Sequence, residues 1–151
     1  FLEESKNLGY PLSGKEILSL LKGEIRPEMV KALREIKGKL VQACLTNNIL
    51  SLGTEFDDFD TVSIANSNVP NVMRLFDFMI ESSKVNIRKP EPEFYLLACQ
   101  RAKVQPQEVI FLDDLGINLK PAKKLGMKTI KVSKAEDALK ELQSFLTFSI
   151  L

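Results

Sequence analysis

A chain of 151 residues, 44% hydrophobic and 27% charged, has an ordinary globular composition and enough length to bury roughly two-thirds of its unfolded surface in one domain. Its formal net charge of +1 argues against a dedicated nucleic-acid binder, and no apolar run approaches the ~18 residues of a membrane span. The chain has no histidine, so it cannot itself build a histidine-based triad or a zincin site; its chemistry must use carboxylates, lysine, hydroxyls and backbone amides.

The first ~25 residues carry Ile17, Leu18 and Leu21 at helical spacing but lead into no strand. They read as an accessory helical segment, 1–25, ahead of a main unit, 26–151. Pro27 suits a first helical turn, and Met29, Leu33 and Ile36 follow on one face. The run 40–45 (LVQACL) reads as a buried strand, and 53–70 as a long polar loop rich in Asp, Asn and Ser. Further strands are expected at 76–80 (FDFMI), 109–112 (VIFL) and 129–132 (TIKV). Between them, Phe94, Leu97 and Ala98 form a helical face after Pro92, and Ala122 and Leu125 precede Gly126, a helix stop. Leu139, Leu142 and Leu146 mark a last helix, with Glu136 and Asp137 in its first turn, favourable to the helix dipole. Alternation of this kind predicts an α/β fold, a parallel sheet with helices on both faces. Cys44 and Cys99 sit in apolar segments and read as buried free thiols in a reducing cytosol.

In such sheets ligands bind beyond the carboxyl ends of the strands. Thr46-Asn47-Asn48 follows the first strand, Arg88-Lys89-Pro90-Glu91-Pro92 lies beyond the second, and Asp113-Asp114 ends the third. Adjacent carboxylates repel unless a hard cation such as Mg2+ relieves them, although one of the pair could simply cap the next helix. A lysine between fixed prolines can neutralise a phosphoryl group, and a strand-end threonine can hydrogen-bond one, although either residue alone is commonplace on a surface.

The order strand–Thr-Asn, then Lys-Pro-Glu-Pro and helix, then strand–Asp-Asp resembles the haloacid dehalogenase-like (HAD) superfamily. LTNN at 45–48, KPEPEFY at 89–95 and FLDDLGINLKPAKKLGMKTI at 111–130 carry the likeness. The chain also resembles the N-terminal phosphatase domains of soluble epoxide hydrolases, and about equally the HAD domains of acyl-CoA dehydrogenase family proteins. The resemblance implies a Rossmann-like core and a magnesium-dependent phosphatase working through an aspartyl-phosphate. Thr46 and Asn47 would contact the phosphoryl group, and Lys89 would offset its charge. Asp114 would bind Mg2+, Asp113 would orient water or Lys89, and Asn118 would support the metal loop. The implied partner is a small phosphorylated molecule in the cytoplasm, with neither nucleic acid nor membrane involved, and fusion to another enzyme domain in a longer parent fits the resemblance. A metal-free 2-haloacid dehalogenase and a non-catalytic HAD-like module stay open as alternatives.

The family's first motif, an apolar strand ending in D-x-D-x-T/V, supplies the nucleophile. Asp58-Phe59-Asp60-Thr61-Val62 has the spacing, but it follows the polar stretch Gly53-Thr54-Glu55-Phe56-Asp57 and comes after the second motif. Asp58 is therefore read as a loop residue. The chain opens at Phe1, and 1–25 resembles the end of a helical cap, so roughly 70–80 residues are expected upstream, including a central first strand. This chain alone is expected to be inactive.

Overall fold

A computed structural model describes residues 25–47 and 69–151. Nearly all of the expected cap remnant, and Asp58 with its loop, lie outside the described residues. The described part begins with α1 (Pro27–Ile36), opened by Pro27 in its first turn, followed by β1 (Ala43–Thr46). After α2 (Val69–Met73) come β2 (Phe78–Glu81), the short α3 (Ser82–Val85) and α4 (Pro92–Ala102). A 3-10 turn (Pro106–Glu108) leads into β3 (Ile110–Asp113), α5 (Gly116–Lys124), β4 (Lys128–Lys131) and α6 (Ala135–Ser144).

All four expected strands are present, and all pair in parallel. Ala43 stands opposite Phe78 and Thr46 opposite Glu81 in the first pair; Ile110 faces Lys128 and Asp113 faces Lys131 in the second. The two pairs are separate two-stranded sheets, and among the described residues no strand joins them.

The first two strands begin later than their apolar runs suggested. Leu40 and Val41 are exposed, at 46% and 58%, and the β1–β2 ladder starts only at Ala43. The cause is Asp77, whose Oδ2 accepts the Gln42 N–H at 2.8 Å while its other oxygen takes Lys37 Nζ at 2.7 Å. A side-chain carboxylate thus replaces a ladder partner, a substitution that apolar patterning cannot register.

β3 shows how the sheet is covered. Ile110 and Leu112 pack with Ile130 against α1 and α6, through Ala32, Ile36, Ala138, Leu139 and Leu142. Phe111 points to the other face, into Tyr95 and Cys99 of α4, Ala122 of α5 and Met127, with Leu45 of β1 alongside. Helices therefore sandwich the β3–β4 pair, the doubly covered α/β arrangement that strand–helix alternation predicts. Gly126 ends α5 as expected: at φ 98° its N–H reaches Lys123 O and the Met127 N–H reaches Ala122 O, the paired bonds of a Schellman motif. Both cysteines are free, Cys99 buried and Cys44 only half-buried. Among the described residues no helix is long and apolar enough to cross a membrane.

Candidate active site

The carboxyl ends of β1 and β3 approach one another through Lys89. This residue lies in the turn before α4, whose first residue is Pro92, and the turn is closed by the Glu91 N–H on Arg88 O at 2.8 Å. Asn47, the residue after β1, grips the Lys89 peptide from across the chain. Its Nδ2 donates to Lys89 O at 2.8 Å, and its Oδ1 accepts the Lys89 N–H at 2.9 Å. The prolines expected to restrain Lys89 are thus joined by a side chain 42 residues away.

Lys89 extends inward over the Phe111 ring, its Nζ 5.8 Å from the centroid, and donates to Asp113 Oδ2 at 2.7 Å. The pair is well shielded, with side-chain exposures of 13% for Lys89 and 4% for Asp113. Asp113 Oδ1 accepts the Leu115 N–H at 2.8 Å and Asn118 Nδ2 at 3.0 Å. Burial pushes the Asp113 carboxyl upward, but the hydrogen bonds from Lys89, Leu115 and Asn118 together outweigh it and hold it below the usual carboxylate range. Asp113 is an anion, with both oxygens engaged.

Asn118 is itself fixed. Its carbonyl accepts the Tyr95 hydroxyl at 2.7 Å, in a buried bond, and Tyr95 packs edge-on against Phe111 with centroids 5.2 Å apart. Burial, seconded by the Asp113 charge, pushes the Tyr95 hydroxyl up to about 12, so it stays a donor. A run of contacts therefore leads from Asn47 through Lys89 and Asp113 to Asn118 and Tyr95.

Sequence reasoning did not single out Tyr95, although KPEPEFY contains it. The available signal was a hydroxyl on the apolar face of a helix, which must find a partner once buried. Cys44 was also missed as a neighbour of the site. Burial raises its thiol pKa, the charge of Lys89 works against that rise, and Glu81 adds to it.

Asp114 behaves differently from Asp113. It is exposed and makes no hydrogen bond or ion pair among the described residues. Neither acid is the N-cap of α5, the plain alternative for the carboxylate pair: that position is Leu115, and the Asp113 bond to the Leu115 N–H is a turn just ahead of the helix. Thr46 is half-buried at the end of β1, opposite Glu81, with its hydroxyl likewise free of partners among the described residues. The expected residues Thr46, Asn47, Lys89, Asp113 and Asp114 thus lie at strand ends or in the turns beside them, and Asn118 lies in the first turn of α5. Lys89 directly links the β1 end to the β3 end.

For a hard divalent cation the donor set fits to the extent of one open carboxylate. Asp114 can bind directly, while Asp113 is occupied by Lys89, and no cluster of three or more acidic or thiol ligands exists among the described residues. Mg2+ is commonly held in this way, by one or two carboxylates with water and substrate oxygens completing the shell.

The family model for haloacid dehalogenase-like hydrolases matches residues 8–126. The chain belongs to this hydrolase family. Among curated relatives, mouse acyl-CoA dehydrogenase family member 10 is 43% identical over 126 residues, covering 82% of this chain and 11% of that protein. Rat bifunctional epoxide hydrolase 2 is 41% identical over 120 residues, covering 79% of this chain and 21% of that protein. This HAD-like chain therefore spans about a fifth or less of the length of these relatives. A solved HAD family enzyme from Bacteroides thetaiotaomicron, in complex with magnesium and inorganic phosphate, superposes with a TM-score of 0.62 at 25% identity. That alignment covers 88% of this chain and 67% of the other.

Proposed function

We propose that this HAD-like chain is part of a magnesium-dependent phosphatase acting on a small phosphorylated molecule in the cytoplasm. The observation that carries the reading is the contrast at the end of β3: a buried Asp113 engaged with Lys89 beside an exposed Asp114 that has no partner among the described residues. One carboxylate fixes the cation that would face a phosphoryl group, and the other is open to a metal.

In this reading the Lys89 ammonium offsets charge on the phosphoryl oxygens, and the Thr46 hydroxyl donates to one of them. Asp113 holds Lys89 in place, and Asn118 with the Leu115 N–H keeps Asp113 from turning away. Asp114 would bind Mg2+, which supplies further neutralisation of phosphoryl charge when present. Support comes from the magnesium and phosphate complex of the Bacteroides enzyme, whose fold this chain shares. The reading includes no ester turnover by this chain alone, because its D-x-D-x-V string at Asp58 is preceded in sequence by the polar stretch Gly53-Thr54-Glu55-Phe56-Asp57 and not by an apolar run.

Binding is therefore the direct test. Orthophosphate titrated calorimetrically into the chain is expected to bind in the presence of Mg2+, and about tenfold or more weakly after Lys89→Ala or with a chelator added. No binding under either condition sinks the phosphatase reading. Metal-independent release of halide from a 2-haloacid would put the dehalogenase reading in its place.

A further inference from the structure

We infer that Asn47 is a positioning residue that acts through Lys89. The inference deepens the phosphatase reading and rests on it in one respect, that Lys89 is the cation facing the phosphoryl group.

The geometry is that of one peptide pairing with another. A side-chain amide presents a carbonyl and an N–H side by side, and Asn47 aligns both with the N–H and C=O of a single residue, at 2.9 and 2.8 Å. This is the two-bond exchange that a hydrogen-bonded residue pair makes in an antiparallel ladder. Two bonds to one residue fix the direction of its Cα–Cβ vector, where a single bond would leave it free to pivot. Lys89 is the residue for which that direction matters, because its side chain must cross Phe111 to meet Asp113. Asn47 directly follows the last residue of β1, so the strand itself sets the position of the clamp.

Only asparagine fits. Aspartate keeps the acceptor for the Lys89 N–H but sets a second oxygen against Lys89 O, and glutamine is longer by a methylene. The amide keeps one N–H and one lone pair beyond the clamp. A direct phosphoryl contact and a positioning role therefore make different predictions.

The test uses the 151-residue chain and needs no turnover. Amide hydrogen exchange is read at Lys89 and, as an internal standard, at Tyr95 and Cys99 within α4. Acylation of Lys89 by acetic anhydride is followed by mass spectrometry, against the exposed Lys120. In Asn47→Ala the Lys89 amide is expected to exchange about three- to tenfold faster. Its ε-amine should react at a rate approaching that of Lys120, while α4 stays protected. In Asn47→Asp the Lys89 amide should stay protected while its acylation rises to an intermediate rate; this variant carries the test if the alanine form does not fold. Unchanged Lys89 exchange and acylation overturn the inference. So does a rise shared equally by α4, which would make Asn47 a general stability residue.

Orthophosphate binding with Mg2+ gives a second, separate arm. A positioning role predicts that Asn47→Ala costs no affinity once Lys89→Ala is present, whereas a direct ligand predicts additive losses. Failure to bind orthophosphate at all removes the phosphatase reading and leaves the exchange and acylation arms to decide the role of Asn47.

Discussion

Lys89 Nζ lies 2.7 Å from Asp113 Oδ2, and this contact joins the turn before α4 to the end of β3. Removing one member of a shielded pair leaves the other charge without its partner, at a cost of about 3 kcal/mol. Lys89→Met should lower the unfolding free energy by that amount, read as a lower urea midpoint with an unchanged slope. Lys89→Met combined with Asp113→Leu should cost less than the sum of the two single changes, because no uncompensated charge remains. An unchanged midpoint in Lys89→Met would show that the bridge does not stabilise the fold.

Asp114 should show the opposite profile. Being exposed and without a partner among the described residues, it can be replaced by alanine within about 0.5 kcal/mol in metal-free buffer. The wild-type chain should gain thermal stability with added Mg2+ by mass action and lose that gain on chelation. In Asp114→Ala the Mg2+ response should vanish. A full Mg2+ shift in the variant would move the metal away from this carboxylate.

Tyr95 offers a titration at the alkaline end. Its folded pKa, about 12, stands above the ordinary tyrosine value of 10, so the folded state keeps a proton that the unfolded chain releases. That contribution is complete below pH ~10 and is lost as pH rises toward 12. Tyr95→Phe lacks it. The variant should be about 1 kcal/mol less stable at neutral pH, from the lost bond to Asn118 O, and the gap should narrow across the alkaline window. Urea midpoints of the two proteins from pH 8 to pH ~12 check this, and a constant gap would contradict it.

Particular residues show where sequence patterning sufficed. Three of the four strands lie in apolar runs and the fourth, KTIK, is buried through Ile130 alone; their order with Thr46, Lys89 and Asp113-Asp114 pointed to the candidate residues. The division of labour within the carboxylate pair came from the family resemblance and not from the string Asp-Asp, since it depends on which carboxylate Lys89 reaches. The Asn47–Lys89 clamp and the Tyr95–Asn118 bond cross 42 and 23 residues of chain and leave no trace in local spacing. The late starts of β1 and β2 have the same origin, a bond from Asp77 to a backbone 35 residues away.

At the amino end of the same strands, Gln42 sets up a final contrast. Its side chain is buried, and Nε2 donates to Leu33 O at 2.9 Å and Leu75 O at 3.2 Å, joining α1 to the chain before β2. Its Oε1 is buried without a partner among the described residues. The two donated bonds contribute about 1 kcal/mol each, and the orphaned oxygen costs a similar amount or more. Gln42→Met removes all three effects at similar volume and should lie within about 1 kcal/mol of wild type. Gln42→Glu keeps the shape but turns a carboxylate toward two carbonyls, close to Asp77, whose oxygen already bonds the Gln42 N–H. That variant should lose about 3 kcal/mol or more at neutral pH and recover part of it in acid, as the new carboxyl protonates. Urea unfolding of both variants at pH ~7 and ~5 decides the matter. Equal stabilities for Gln42→Met and Gln42→Glu would mean that this pocket admits water, and that its hydrogen bonds do not join α1 to the sheet.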